Sequence, residues 1–480
     1  SKESAWKWIE NNSEHFIEIS DKIWELAELG LVEYESSELL AKTLEENGFH
    51  VDRGVADMPT AFVATFENGG PTIGIMGEYD ALPGISQNAV PYKDPTIENG
   101  PGHGCGHNIH GTSGMGAAIA LKNEIEQSNL KGTVKFFGTP AEETYSGKVF
   151  MVRAGLFDGV DTALSHHPYH HNLAGLGSSL AMNSAKFHFY GKASHAAASP
   201  DRGKSALDAV ELMNIGVNFM REHIVQDARI HYVIEDGGLQ PNVVPPYARS
   251  WYYIRAPERD QVDEIYPWVL KIAEGANMMA RTEYKVEFIE GLYNTLPSKS
   301  LSVLVTSNMR EIGNPKYTDE EMEFAKEIDK SVPRKDKIAA LRQSKRPGWE
   351  KLVEEIMDNS ILDAWDEGEV IPGSTDVGDV SWVTPTMEFY TATSPIAVQG
   401  HTWQDVACNG MGIGHKSLIF ATKVLAGAGL EILTKPELLK SVKQEFKERL
   451  AGRKYKSPIP DEIKPPVEMA KEAAKTAGQS

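Results

Sequence analysis

Short apolar segments and helical segments take turns along most of this chain, and the alternation is broken once. Helical spacing at 5–29 and 36–48 leads to strand-like runs at 60–66 and 72–76. A Gly- and Ala-rich helix at 110–127, a strand at 133–137, a helix at 146–154 and a strand at 162–165 follow. This pattern predicts an α/β fold with a mostly parallel sheet covered by helices. From about 184 to 292 the order becomes β-α-β-β-α-β, with strands at 186–190, 229–235, 248–255 and 283–289 and helices at 204–222 and 259–279. That is the ferredoxin-like order, and it predicts an inserted domain with its own sheet. Helical spacing resumes at 301–309, 315–370 is charged and mostly helical, 387–392 is a buried strand, and 408–429 contains a helix. The expected organisation is a discontinuous catalytic domain over 1–183 and 293–434, an inserted domain over 184–292, and a charged, proline-containing extension over 435–480. In that extension, residues 435–456 carry eight Lys/Arg and three Glu, and four prolines follow. It reads as an amphipathic helix and then a loose extension packing on its own body.

A length of 480 residues suits two or three domains. The net charge of −20 gives no general attraction for nucleic acid or an anionic membrane. No apolar run is expected to reach the ~18–20 residues that cross a bilayer. The opening Ser-Lys-Glu-Ser-Ala-Trp lacks the apolar stretch of a signal peptide. Cys105 and Cys408 are the only cysteines, which excludes a disulfide framework and points to the reducing cytoplasm.

Histidine distribution carries the chemical signal. Seven of fifteen histidines fall between 103 and 171. Gly104-Cys105-Gly106-His107 sets a thiol two residues from an imidazole, between glycines that let the backbone fold around an ion. Sulfur and imidazole together suit a borderline-soft divalent metal, although a Gly-rich turn would look the same. Pro140-Ala141-Glu142-Glu143 follows a buried strand, and adjacent side chains diverge, so one carboxylate can hold a metal while the other moves a proton. Glu pairs also suit helix N-termini. Ser165-His166-His167-Pro168 places two imidazoles at another strand exit, and Glu78 and Asp80 follow a third. In an open parallel sheet, sites gather beyond the carboxyl ends of strands, so these groups share one rim. Gly373-Ser374-Thr375-Asp376-Val377-Gly378-Asp379 and His401 could complete it. In the insertion, His195 and Asn242 could donate hydrogen bonds to a developing oxyanion, or stabilise turns.

Taken in order, Gly77-Glu78-Tyr79-Asp80-Ala81-Leu82-Pro83, Gly104-Cys105-Gly106-His107-Asn108, Pro140-Ala141-Glu142-Glu143, Gly191-Lys192-Ala193-Ser194-His195, Pro241-Asn242-Val243-Val244-Pro245 and Ser374-Thr375-Asp376 resemble the M20 family of metallopeptidases and amidohydrolases, in its N-acyl-amino-acid amidohydrolase branch. The resemblance spans about 10–430. It implies a catalytic α/β domain with a lid used for homodimerisation, and two divalent ions per subunit, Zn or Mn. Cys105, His107, Glu143, His167 and His401 match the metal ligands and Glu142 the general base. His167 is aligned in preference to His166 because it directly precedes Pro168. His195, supplied across the dimer, and Asn242 match lid residues near the scissile carbonyl, and Arg255 matches a group binding a substrate carboxylate. Asn108 stands where many relatives have Asp. The implied substrate is a small N-acyl amino acid whose acyl group is aromatic and aminobenzoyl-glutamate-like. A dipeptide or a C-terminal residue is the alternative on the same scaffold.

Overall fold

The run Thr-Ile-Gly-Ile-Met-Gly at 72–77 is buried from its second residue onward, as a strand with sheet neighbours on both sides and helices on both faces must be. The computed structural model describes residues 1–478. Its strands are β1 (His50–Arg53), β2 (Phe62–Phe66), β3 (Thr72–Gly77), β4 (Thr133–Gly138), β5 (Thr162–Tyr169), β6 (Ala181–Tyr190), β7 (Arg229–Asp236), β8 (Tyr247–Ala256), β9 (Glu283–Leu292) and β10 (Thr386–Ala392). One sheet has the order β1-β2-β4-β3-β5-β10. β4, β3, β5 and β10 run parallel, and β2 and β1 join antiparallel at one edge. The fold is therefore mixed α/β with a mostly parallel sheet. Helices His107–Gln127 and Gly412–Thr434 pack together in its main core, with Ile75, Phe136, Leu164 and Phe389 from the strands.

Gly412–Thr434 corrects one expectation. Its 23 residues are long and apolar enough to cross a bilayer by length and composition alone, and most of them are buried inside the protein. The helix is apolar nearly all round because neighbours surround it.

The second sheet, β7-β8-β6-β9, is antiparallel throughout. Helices Ala206–Met220 and Arg259–Ala280 cover one face and share a separate core with Phe187, Phe189 and Tyr252. Element by element, this is the β-α-β-β-α-β order read from the sequence.

Two further readings change. β5 continues through His166, His167 and Pro168 rather than ending at 165. β3 stops opposite Leu164, so the missing N–H of Pro168 faces a side with no strand, while β10 still pairs opposite Pro168. Residues 435–478 are not loose. Pro436–Leu450 is followed by a helix at Val467–Thr476, and Ile459, Ala470 and Ala474 are buried beside Val152. The Arg153 guanidinium donates to the carbonyls of Pro460 and Ile463 at 2.9 and 2.8 Å.

Candidate metal centre and active site

Cys105 sits in the turn before helix His107–Gln127, and Gly106 begins that helix in the left-handed region at φ 74°. A Cβ at Gly106 would lie 2.6 Å from Pro168, so glycine alone lets this turn pass close to β5. The turn brings the Cys105 Sγ to 3.4 Å from Nε2 of His167. His166 points elsewhere, with Nδ1 3.1 Å from the Ser113 hydroxyl and Nε2 2.6 Å from that of Thr391. Both its nitrogens are thereby engaged, while that of His167 faces the sulfur.

The Pro140–Glu143 turn is held from several sides. Ala141 adopts φ 59°, and its N–H donates to Glu33 at 2.8 Å. The Glu143 N–H donates to Asp80 at 2.9 Å. Glu143 then stands 3.3 Å from Nε2 of His401, itself held at φ 64° by an N–H donated to the Gly104 carbonyl. Ligand atoms of Cys105, His107 and His167 lie within 4.8 Å of one another, and so do those of Cys105, Glu143 and His401. Glu78, His107 and Glu142 form a third such group. Donors bound to one ion at about 2.0–2.3 Å are themselves about 3–4 Å apart, so these separations fit metal coordination. His107 Nε2 lies 2.9 Å from Oε2 of Glu78 and 3.8 Å from Oε1 of Glu143, and none of these three buried atoms makes a hydrogen bond. Buried donor atoms that crowd together without hydrogen-bonding suit a shared cation. The donor set fits divalent ions and brings all five sequence-derived ligand candidates, with Glu142, into one cluster.

Burial depresses the imidazolium of His107, but Glu78, Asp80 and Cys105 outweigh it and hold its pKa well above the usual value. Burial raises the Glu143 carboxyl, yet His401 and His107 bring it down to about 2. Glu142 is pushed well up by burial, then by Glu78, Glu143 and Asp376. The two adjacent glutamates are thus driven apart, Glu143 toward the carboxylate a ligand must be and Glu142 toward the readier proton uptake of a general base. Burial and Glu143 raise the Cys105 thiol, so an adjoining cation is what would make it a thiolate.

Other groups escaped the sequence reading. Lys148 is fully buried, bonded to Glu78 and, at 2.8 Å, to Asp376. A lysine inside the apolar run Lys-Val-Phe-Met-Val was the available signal. Asp376, read as a possible completion of the site, pairs with Lys148, which pairs in turn with Glu78, and its charge also reaches Glu142. Asp379 instead accepts from the Tyr293 N–H and the Tyr455 hydroxyl. His110 accepts the Glu78 N–H on Nδ1, so its proton sits on Nε2, beside Ser165 and Glu388.

His195 and Asn242 are not hydrogen-bonded or ion-paired to the donor cluster among the described residues. They lie on two exposed loops of the second sheet that bridge each other, with the Ala196 N–H donating to the Asn242 carbonyl at 3.0 Å. His195 Nδ1 accepts the N–H groups of Ala197 and Ala198, which leaves the proton on an outward Nε2. Arg255 stacks its guanidinium on Tyr253 at 5.3 Å, and its buried Nε is unpartnered.

Residues 74–407 match the profile of peptidase family M20/M25/M40. The chain is 40% identical over 468 residues to one of the polypeptides of the p-aminobenzoyl-glutamate hydrolase of Escherichia coli K12, covering 95% of this chain and 97% of that one. It is 28% identical over 464 residues to the Xaa-Arg dipeptidase of Mus musculus, covering 94% and 93%. A solved dinuclear metal binding peptidase of the M20 family from Bacillus subtilis shares the fold at TM-score 0.57 and 17% identity, covering 88% of this chain and 99% of that one. With its family profile matched over most of its length and its metal-type donors gathered beside Glu142, the chain belongs to peptidase family M20/M25/M40 and is a metal-dependent hydrolase of amide bonds.

Proposed function

We propose that this enzyme cleaves the amide between an aromatic, aminobenzoyl-glutamate-like acyl group and an amino acid. The observation that carries the reading is the two donor groups sharing Cys105, with Glu142 beside them. Cys105, His107, Glu143, His167 and His401 would hold two divalent ions. The thiolate favours zinc, and the imidazole and carboxylate donors also accept manganese. Ions held there would supply Lewis acidity toward the carbonyl and the attacking water. Glu142 takes the proton from that water and delivers it to the leaving nitrogen. Glu143 is anchored through its N–H to Asp80, which fixes the turn that carries Glu142.

The outward Nε2–H of His195 suits an oxyanion donor, and Asn242 stands on the neighbouring loop. Both would act on the site of a second copy, in a homodimer formed through the second sheet. Exposed Phe219, Val233, Leu239 and Met278 on that sheet, its helices and a connecting loop support such an association. Arg255 would bind the carboxylate of the substrate amino acid. Cys105 and Cys408 are both free thiols, which suits a cytoplasmic location.

The test is a substrate panel with the zinc- and manganese-loaded protein: 4-aminobenzoyl-glutamate, N-acetyl amino acids and dipeptides. The aromatic acyl amide is expected to give the highest kcat/KM. A preference for Xaa-Arg dipeptides would favour the dipeptidase reading, which the 28% identity to that mouse enzyme keeps in view.

A further inference from the structure

A cavity of about 180 Å³ lies between β10, the crossings that join the two sheets, and the loop at 373–375. Its walls carry the carboxylates of Asp366 and Glu388 and the hydroxyls of Ser178, Ser374, Thr375 and Tyr390. Among the described residues, no lysine, arginine or histidine lines it. The Ser374 hydroxyl is buried without a hydrogen-bond partner. Asp366 is fixed by the N–H groups of Leu176 and Gly177, at 2.8 and 2.9 Å. Gly175 and Gly177 permit this, since a Cβ on either would fall within 3.0 Å of that carboxylate. The walls are thus rich in acceptors, negative and preorganised. Such a chamber rejects a carboxylate and rewards a hydrogen-bond donor or cation.

The cavity shares a wall with the metal centre. Glu388 accepts from Ser165 at 3.1 Å, and the same hydroxyl lies 3.1 Å from Nε2 of His110. Tyr390 meets the His167 ring edge-on at 5.9 Å between centroids. A void of about 150 Å³ holds a benzene molecule, so this one has room for a six-membered ring carrying a small polar group.

We propose that this cavity is the subsite for an amine-bearing end of the substrate, which donates to Glu388 and Ser374 while the amide lies over the donor cluster. The proposal rests on the amide-hydrolase reading and adds to it the chemistry of the group farthest from the cut. The amine could be an aromatic amine on the acyl group or the basic end of an amino-acid side chain, and the test separates these.

Binding is measured by calorimetry on the metal-loaded protein with three probes that contain no amide to an amino acid: 4-aminobenzamide, benzamide and agmatine. 4-Aminobenzamide is expected to bind about tenfold more tightly than benzamide, the size of effect that one buried hydrogen bond supplies. Ser374→Ala is expected to narrow that gap, and Ser374→Met, which fills the space, to abolish binding of both. Tighter binding of agmatine, lost in the same variants, would assign the amine to a basic side chain and still support the subsite. Equal affinity for the two benzamides together with no agmatine binding overturns it, as do affinities unchanged in both Ser374 variants. If Ser374→Met does not fold, Ser374→Ala decides. Because the probes are not substrates, selective binding without turnover of the acyl amino acids would refute the hydrolysis reading and leave the subsite standing.

Discussion

His107 Nδ1 lies 2.8 Å from Oδ1 of Asp80, both groups fully buried. The other oxygen of the same carboxylate takes the Glu143 N–H. One aspartate therefore orients two candidate ligands that enter from different elements. It also holds His107 by Nδ1, so that Nε2, 2.9 Å from Oε2 of Glu78, is the nitrogen that would coordinate. Asp80→Asn is expected to weaken metal affinity about 10–100-fold, as loss of such partners does. Competition against a calibrated chelator measures this, and unchanged affinity would deny Asp80 the orienting role.

Glu142 and Glu143 are neighbours with opposite electrostatic settings, so their substitutions should fail differently. Glu142→Gln is expected to lower kcat by about 10²–10⁴-fold while metal content stays at the wild-type level. Glu143→Gln is expected to lose metal first. Elemental analysis beside steady-state kinetics separates the two, and equal metal loss in both variants would remove the distinction.

Lys148 is a buried cation between Glu78 and Asp376, so its removal strands two carboxylates. Lys148→Met is expected to cost about 3–5 kcal/mol of unfolding free energy, measured by denaturant titration. A loss under about 1 kcal/mol would mean that the two carboxylates are relieved in another way.

Asp379 gives a pH prediction on stability. Burial pushes its carboxyl up to about 7 from 3.8. The folded state therefore keeps this proton more firmly than the unfolded chain. The associated stability is fully present below about pH 4 and is lost as pH rises through about 7. Asp379→Asn, which stays neutral, is expected to remove that part of the slope, by up to about 4 kcal/mol between pH 4 and pH 8. Parallel denaturation curves for both proteins at the two values make the comparison, and identical slopes would contradict it.

Glu143 and His167 were legible because each lies at or just past the end of a parallel strand, where such a sheet collects side chains, and Cys105 and His107 because a thiol and an imidazole two residues apart between glycines are an unusual pairing. Their supports were less so. The pairing of Lys148 with Asp376 spans 228 residues, and no local pattern encodes it. The choice between His166 and His167 depended on which face of β5 each occupies, and that register is set by β10, more than 200 residues away. β1 went unread because His-Val-Asp-Arg is a short, polar edge strand without alternation. Gly412–Thr434 looks like a membrane span by composition only, because a helix enclosed by protein needs no polar face. His195, Asn242 and Arg255 come from the family resemblance, and among the described residues no hydrogen bond or ion pair ties His195 or Asn242 to the donor cluster.

The central claim is that side chains from four separated segments cage a pair of divalent ions beside Glu142. Anomalous diffraction from crystals of the zinc-loaded enzyme, collected across the zinc edge, tests it most directly. The expected result is two peaks within coordination distance of the cluster, shared among Cys105, His107, Glu143, His167 and His401, with Glu142 alongside and not more than weakly bound. Peaks confined to other parts of the protein, or none at the Cys105 sulfur, would contradict the account.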